Sequence, residues 1–290
     1  MSVPDRRAAN LKGAGLMIAS GFGFTVAATL VKLLGETGIT AFQTVFVRAL
    51  IGLAIVVPWL WHARVSPWRS GHLKIHLARA LFGGLAVTLA YYAFTVMPLA
   101  DVTAISFTIP LFVTLLAAFL LRENVRRARW AATAIGFVGV LIIARPGGHG
   151  VDPAALLALA MALCVALSVI LLKRFPERES QLSMLYFFLL SSGAMTAVPA
   201  IDAWVTPSLL QWGLLAGVGL MGVGSQALII RAYRTGEANF VAPFDYVKLL
   251  FAGILGFMFF NELPDIFTGI GAAIIVGSSL YTARSEARAR

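Results

Sequence analysis

The sequence predicts an all-α polytopic membrane protein, with ten transmembrane helices arranged as two inverted five-helix repeats. Three observations predict it. Of the 290 residues, 59% are hydrophobic and 12% charged, and the mean hydropathy is +0.87, a balance foreign to soluble domains of this size. The apolar residues fall into ten stretches of about twenty, the length at which a helix crosses a bilayer with its backbone groups satisfied internally. The last five stretches then repeat signposts of the first five.

The spans are read at 13–34, 40–60, 76–97, 101–121, 128–144, 153–173, 182–201, 209–231, 239–260 and 264–282. Short connections between them leave no room for a soluble domain. Arg6, Arg7 and Lys12 precede span 1 as in a secretory signal. Its apolar run is too long for a signal core, however, and no small-residue cleavage site breaks it. Span 1 is therefore expected to be retained.

Span 1 presents Gly21, Thr25, Ala28 and Lys32 at helical spacing, and Lys32 lies close enough to the span's end to snorkel to the interface. Span 2 carries Arg48 about two turns in, with no acid on its own helix; its expected partner is a carbonyl or acid of another helix, or the interface. Lys32 and Arg48 are the candidate gating or structural charges. Span 3 presents Gly84, Thr88, Tyr91 and Tyr92, and span 4 Thr103, Ser106 and Pro110. Pro110 removes a backbone hydrogen bond in mid-span and is expected to kink the helix. Span 6 holds the lone Cys164, which has no partner for an internal disulfide and reads as packing.

In span 8, Gly217, Gly219 and Gly222 spell G-x-G-x-x-G, but inside an apolar helix with no preceding strand the dinucleotide reading fails. With Gly213 and Gly224 they are expected to form a thin packing face. The same span offers Ser225 and Gln226. Serine and threonine suit interhelical contacts, whereas Tyr91, Tyr92 and Gln226 need room and partners and so are expected at a cavity. In span 9, Asp245 and Lys248 stand three residues apart on one face and can neutralise each other. Such a pair is either a structural brace or the border of a solute path, with Lys248 meeting a carboxylate and Asp245 an ammonium group or a proton. The candidate substrate-path residues are accordingly Thr25, Tyr91, Tyr92, Ser106, Gln226, Asp245 and Lys248.

The net charge of +10 would suit a nucleic-acid partner, but its distribution excludes one. With alternate loops on opposite sides, one side collects Arg6, Arg7, Lys12, Arg64, Arg69, Lys74, Arg79, Arg122, Arg126, Arg127, Arg129, Lys173, Arg174, Arg178, Arg231, Arg234, Arg284, Arg288 and Arg290. Arg145 alone falls clearly on the other. This is the positive-inside bias, so both termini are expected in the cytoplasm of a bacterial inner membrane. His62, His72, His76 and His149 lack metal-ligand spacing and read as solvated loop residues. No cofactor, metal site or catalytic constellation is read, so no enzyme is expected.

Placing Glu123 over Glu262 brings the segments 99–124 and 238–263 into register, and after one gap Gly139 falls on Gly277. "AATLVKLL" around Lys32 matches "SVILLKRF" around Lys173. Each half holds five spans, residues 1–147 and 148–290. Five is odd, so the second copy enters from the opposite side, giving an inverted repeat about an axis in the membrane plane. A device that opens alternately to each side obtains mirrored half-gates from this arrangement.

"FVRAL" around Arg48, the block "MPLADVTAISFTIPLFVTLLAAFLLRE" and its counterpart "GEANFVAPFDYVKLLFAGILGFMFFNE" resemble the EamA-type drug/metabolite transporter superfamily over residues 12–282. The second half departs in having Phe188 where Arg48 would fall. Within the superfamily the chain is most similar to bacterial amino-acid exporters of the YddG type. The resemblance implies a secondary transporter exporting small organic solutes by alternating access, with amino acids, aromatic or hydrophobic ones included, as substrates. An interior lacking an unpaired acid suits a zwitterion or carboxylate better than a cationic drug. Nucleotide sugars or drug-like solutes are the alternative substrates, and a channel or sensor the alternative class. The expected partners are the small-molecule substrate and the lipid bilayer, around a monomer.

Overall fold

The computed structural model of the chain describes residues 3–120, 127–144, 153–172, 180–236 and 238–287. They form α1 (Val3–Glu36), α2 (Ala41–His62), α3 (Leu73–Val96), α4 (Leu99–Ser106), α5 (Ile109–Leu120), α6 (Arg127–Ala144), α7 (Pro153–Leu172), α8 (Gln181–Asp202), α9 (Leu209–Thr235), α10 (Ala238–Val241), α11 (Val247–Phe260) and α12 (Ile266–Ala287), with 3-10 turns at Pro67–Arg69 and Ala242–Tyr246. Eight candidate spans among the described residues are long and apolar enough to cross a membrane. The apolar segments Trp130–Ile143 and Ile266–Ser278 are shorter. Large apolar side chains point outward along the bundle, Trp61 86% and Leu209 90% exposed, as lipid contact allows.

The helices begin where side chains relieve their orphan amides. Thr40 accepts from the Gln43 amide at 3.1 Å, Ser180 from Ser183 at 3.4 Å, and Ser208 forms a capping box with Gln211. Two predicted spans are not continuous helices. Span 4 divides into α4 and α5 at Phe107–Thr108, because Pro110 cannot bond the Ser106 carbonyl and its ring crowds it. Span 9 starts as α10 and a 3-10 turn, where Pro243 interrupts the α pattern in the same way. In the Glu123/Glu262 register, Phe107 and Thr108 fall on Tyr246 and Val247. Both repeats therefore break at the same place, although their prolines stand at different positions.

The most extensive helix pairings obey the repeat, although α1–α3 and α2–α3 have no comparable α7–α9 and α8–α9 counterparts among the described residues. Exchanging each span for the one five later turns the α1–α9 contact into α7–α3, α3–α8 into α9–α2, and α1–α11 into α7 against α4 and α5. The pairs α2–α8, α4–α11 and α6–α12 map onto themselves. At the α6–α12 crossing the backbones nearly touch: a Cβ on Gly139 would lie 2.7 Å from the Gly271 carbonyl oxygen, and one on Gly271 2.6 Å from that of Gly139. Gly277, the sequence match of Gly139, meets open space. In α9, Gly217, Gly219 and Gly222 do pack closely, against Leu30, Ile51 and Arg48. Gly213 and Gly224 do not, which corrects the five-residue face expected from sequence.

A two-fold axis brings equivalent residues together only where it passes between them. Among the described residues, two such contacts join sequence equivalents. The rings of Phe107 and Tyr246 stand 4.8 Å apart, and the Arg48 guanidinium lies 5.6 Å from the ring of Phe188, its counterpart. Around the second contact the environment also repeats: Arg48 lies against Gly222 and Phe188 against Gly83. The axis thus runs through the α4–α11 and α2–α8 contacts.

One end of the bundle gathers residues 37–40, 97–98, 203–208 and 261–262. Gln43 exchanges hydrogen bonds with the backbone of Val205, and Gln211 donates to the Thr37 carbonyl. The opposite end gathers Asn10, which packs on Gly236, and Arg234, which donates to Gln181. Here Trp68 packs edge-on against Tyr186 and Phe187. His76 is not the solvated residue expected from sequence. It is 1% exposed and lies against Phe187 at 5.1 Å, because α3 starts before it and turns it inward. Cys164 is buried. His149, Glu123, Lys173 and the boundary at 147/148 lie outside the described residues.

Candidate functional site

Three polar clusters lie within the apolar bundle. The first forms at the broken helices. Asp245 sits in the 3-10 turn and Lys248 in the first turn of α11, and their side chains pair. The Lys248 ammonium lies 4.9 Å from the Phe24 ring centroid of α1. Gly21 admits it, for a Cβ there would stand 3.2 Å from Lys248 Cγ. With side chains 19% and 29% exposed, Lys248 and Asp245 border open space. Across the axis, the interrupted α4 uses its own hydroxyls. Thr103 donates to the Leu99 carbonyl, Ser106 to Thr103 and Thr108 to Ile105.

The second cluster surrounds Arg48. Its guanidinium carbon lies 5.7 Å from the ring of buried Tyr91 and 5.6 Å from that of Phe188. Gly222 of α9 leaves it room. Nη1 is buried without a hydrogen-bond acceptor. Arg48 has therefore met aromatic faces where sequence led us to expect a carbonyl, an acid or the interface.

The third cluster closes the 37–40 end. Lys32 does not snorkel. It is 7% exposed and pairs with Glu262, 230 positions away. It also donates to the Met97 carbonyl at 2.7 Å and lies 5.1 Å from the Phe260 ring. The other oxygen of Glu262 accepts from the Leu99 amide at 3.2 Å. Asn261 makes this possible: its left-handed backbone, φ 55°, ends α11 and turns Glu262 back towards α1. Asp101 extends the seam by accepting from Thr268 at 2.7 Å. Four segments from both repeats are thereby tied at one end.

The remaining candidates separate. Thr25 is buried and donates to the Gly21 carbonyl of its own helix. Together with Ser106 it keeps only acceptor capacity for any solute. Tyr91 joins Arg48, whereas Tyr92 projects into a cleft of about 440 Å³ with Phe42, Thr95 and Asp202 at the 37–40 end. Adjacent helical residues diverge by about 100°, so the two tyrosines cannot share a site. Gln226 is exposed in the middle of α9. Sequence reasoning missed Glu262, Phe24 and the Phe188–Gly222 seat of Arg48. The repeat held a signal for the first, since lysine and glutamate recur in register in both halves.

Comparison with known proteins places this architecture. The EamA-like transporter family matches residues 11–145 and, a second time, 152–284. The chain belongs to the EamA-like transporter family. Among its relatives, an S-adenosylmethionine uptake transporter of Rickettsia bellii is 31% identical, over 89% of this chain and 88% of the relative. A riboflavin transporter of Vibrio cholerae is 29% identical over 96% and 95%. A pseudopaline exporter of Pseudomonas aeruginosa is 28% identical over 94% and 96%. A crystal structure covering 94% of this chain and 98% of its own superposes with a TM-score of 0.59 at 22% identity, a likeness of fold. This EamA-like chain is thus a multi-pass bacterial inner-membrane transporter of small organic solutes.

Proposed function

We propose that this transporter carries amino acids and amino-acid derivatives with aromatic or apolar bodies by alternating access. In this reading residues 1–147 and 148–290 are the two moving repeats, both termini are cytoplasmic, and the 37–40 end faces the periplasm. The observation that carries the reading is the Asp245–Lys248 pair, partly open, beside an aromatic ring and at the break common to both repeats. Broken helices near the repeat interface offer backbone and side-chain groups to a solute where an unbroken helix offers none. A carboxylate and an ammonium side by side match the two charges of a zwitterion, and Phe24, Phe107 and Tyr246 suit its apolar body. The similarity to transporters of S-adenosylmethionine, itself an amino-acid derivative, supports the same head group.

Lys32–Glu262 then serves as the latch of the periplasmic end, because opening that end must separate α1 from α11. The relatives include both an uptake transporter and an exporter. A carrier whose net direction follows the gradients offered to it accommodates both. The test is counterflow in liposomes containing the full chain, with a panel of radiolabelled amino acids. Saturable exchange, mutually competed within the panel, is expected. Exchange of no amino acid would overturn the substrate class, and flux without saturation would overturn the carrier.

A further inference from the structure

Arg48 lacks what the two intramembrane lysines possess. Lys32 pairs with Glu262 and Lys248 with Asp245, whereas among the described residues no carboxylate forms an ion pair with Arg48. It meets the rings of Tyr91 and Phe188, and its Nη1 is buried with no acceptor. Ring faces attract a guanidinium without satisfying its N–H groups, and the Tyr91 hydroxyl can engage only one of the five. A half-buried cation with a buried donor left unmet is stabilised when a counter-charge arrives. The planar fork of arginine fits one counter-charge best, a carboxylate bound through two parallel hydrogen bonds.

Its position gives that counter-charge a source. Arg48 and its repeat counterpart Phe188 touch on the two-fold axis, which also passes between Phe107 and Tyr246 beside the Asp245–Lys248 pair. Solutes of inverted-repeat carriers bind near the midplane at the repeat interface, where such an axis runs. We propose that Arg48, held between Tyr91 and Phe188, is the binding residue for the carboxylate of the transported solute. Because the second repeat supplies phenylalanine at this place, the axis holds one such anion site and not two. This rests on the solute path described above and deepens it. Arg48 takes the carboxylate in place of Lys248, whose partner Asp245 faces the ammonium group.

The test uses the purified full chain and two probes of one shape, 3-phenylpropionate and 3-phenylpropanamide, read by thermal stabilisation. The wild-type protein is expected to respond to the acid at about tenfold lower concentration than to the amide, the worth of one charge-assisted pair. Arg48→Met removes an uncompensated charge, so it should fold at least as well, and the ratio should collapse to near one. Arg48→Lys keeps the charge without the fork and should give an intermediate ratio. No preference in the wild type, or a ratio unchanged in both variants, would overturn the proposal. Amino-acid counterflow separates this from the parent reading. Flux with an Arg48-independent preference sinks the anion site alone, and an Arg48-dependent preference without amino-acid flux sinks the substrate class alone.

Discussion

Phe107 and Tyr246 occupy equivalent positions in the two repeats, and their rings touch with centroids 4.8 Å apart. Each stands at the interruption of its own helix, so the contact joins the two breaks directly. Aromatic pairs of this kind contribute about 0.5–1.5 kcal/mol beyond burial. A double-mutant cycle of Phe107→Ala and Tyr246→Ala, followed by thermal unfolding in detergent, should show coupling of that order. Independent, additive effects would mean that the breaks are not joined.

Asp245 and Lys248 neutralise each other, so either single neutralisation leaves the other charge partly buried. Asp245→Asn or Lys248→Met should lower stability by about 3–5 kcal/mol and reduce the folded yield. The double variant should regain the yield yet remain at least about tenfold slower in counterflow, because the head-group contacts are gone. Full flux in the folded double variant would make the pair a brace only.

Much of this was legible in the sequence. The spans were, because twenty apolar residues in a bilayer have one backbone solution, and so was the Asp245–Lys248 pair, because its spacing is local. Pro110 announced one break. Pro243, read inside a continuous span, marks the other. Lys32 and Glu262 lie 230 residues apart, and nothing local in either segment turns one towards the other; the decisive element is the left-handed Asn261. Whether Tyr91 or Tyr92 meets Arg48 depends on the rotation of α3 against its neighbours, which the weak polarity of its face does not fix.

Glu262 binds Lys32 and the Leu99 amide at once, so Glu262→Gln should loosen the 37–40 end. Ala28, buried one turn inward from Lys32, reports on it. In a Cys164→Ser background, Ala28→Cys should label slowly with an impermeant thiol reagent from the periplasm. Adding Glu262→Gln should speed labelling about tenfold, as expected when a coupling of one to two kcal/mol is lost. Equal rates would remove the latch.

At the crossing of α6 and α12, any Cβ on Gly139 or Gly271 would overlap a carbonyl of the facing helix. Gly271→Ala should therefore cost about 1–3 kcal/mol in thermal unfolding, while Gly277→Ala, facing open space, should cost little. Equal effects at the two positions would contradict the crossing.

Orientation is tested at two exposed residues of opposite ends, Thr206 and Gly71. In intact cells lacking Cys164, Thr206→Cys should react with an impermeant reagent and Gly71→Cys should not. The reverse pattern would place the basic loops outside and overturn the charge-based topology.

The central claim is that a solute passes Lys248 and Phe24 through a site open to one side at a time. The most direct measurement is the accessibility of Phe24→Cys, in the Cys164→Ser background, to impermeant reagent applied from each face of oriented vesicles. An alternating carrier should label from both faces, with saturating amino acid protecting the cysteine, and Glu262→Gln should shift reactivity towards the periplasmic face. Failure to label from either face, or labelling that no amino acid reduces, would contradict the account.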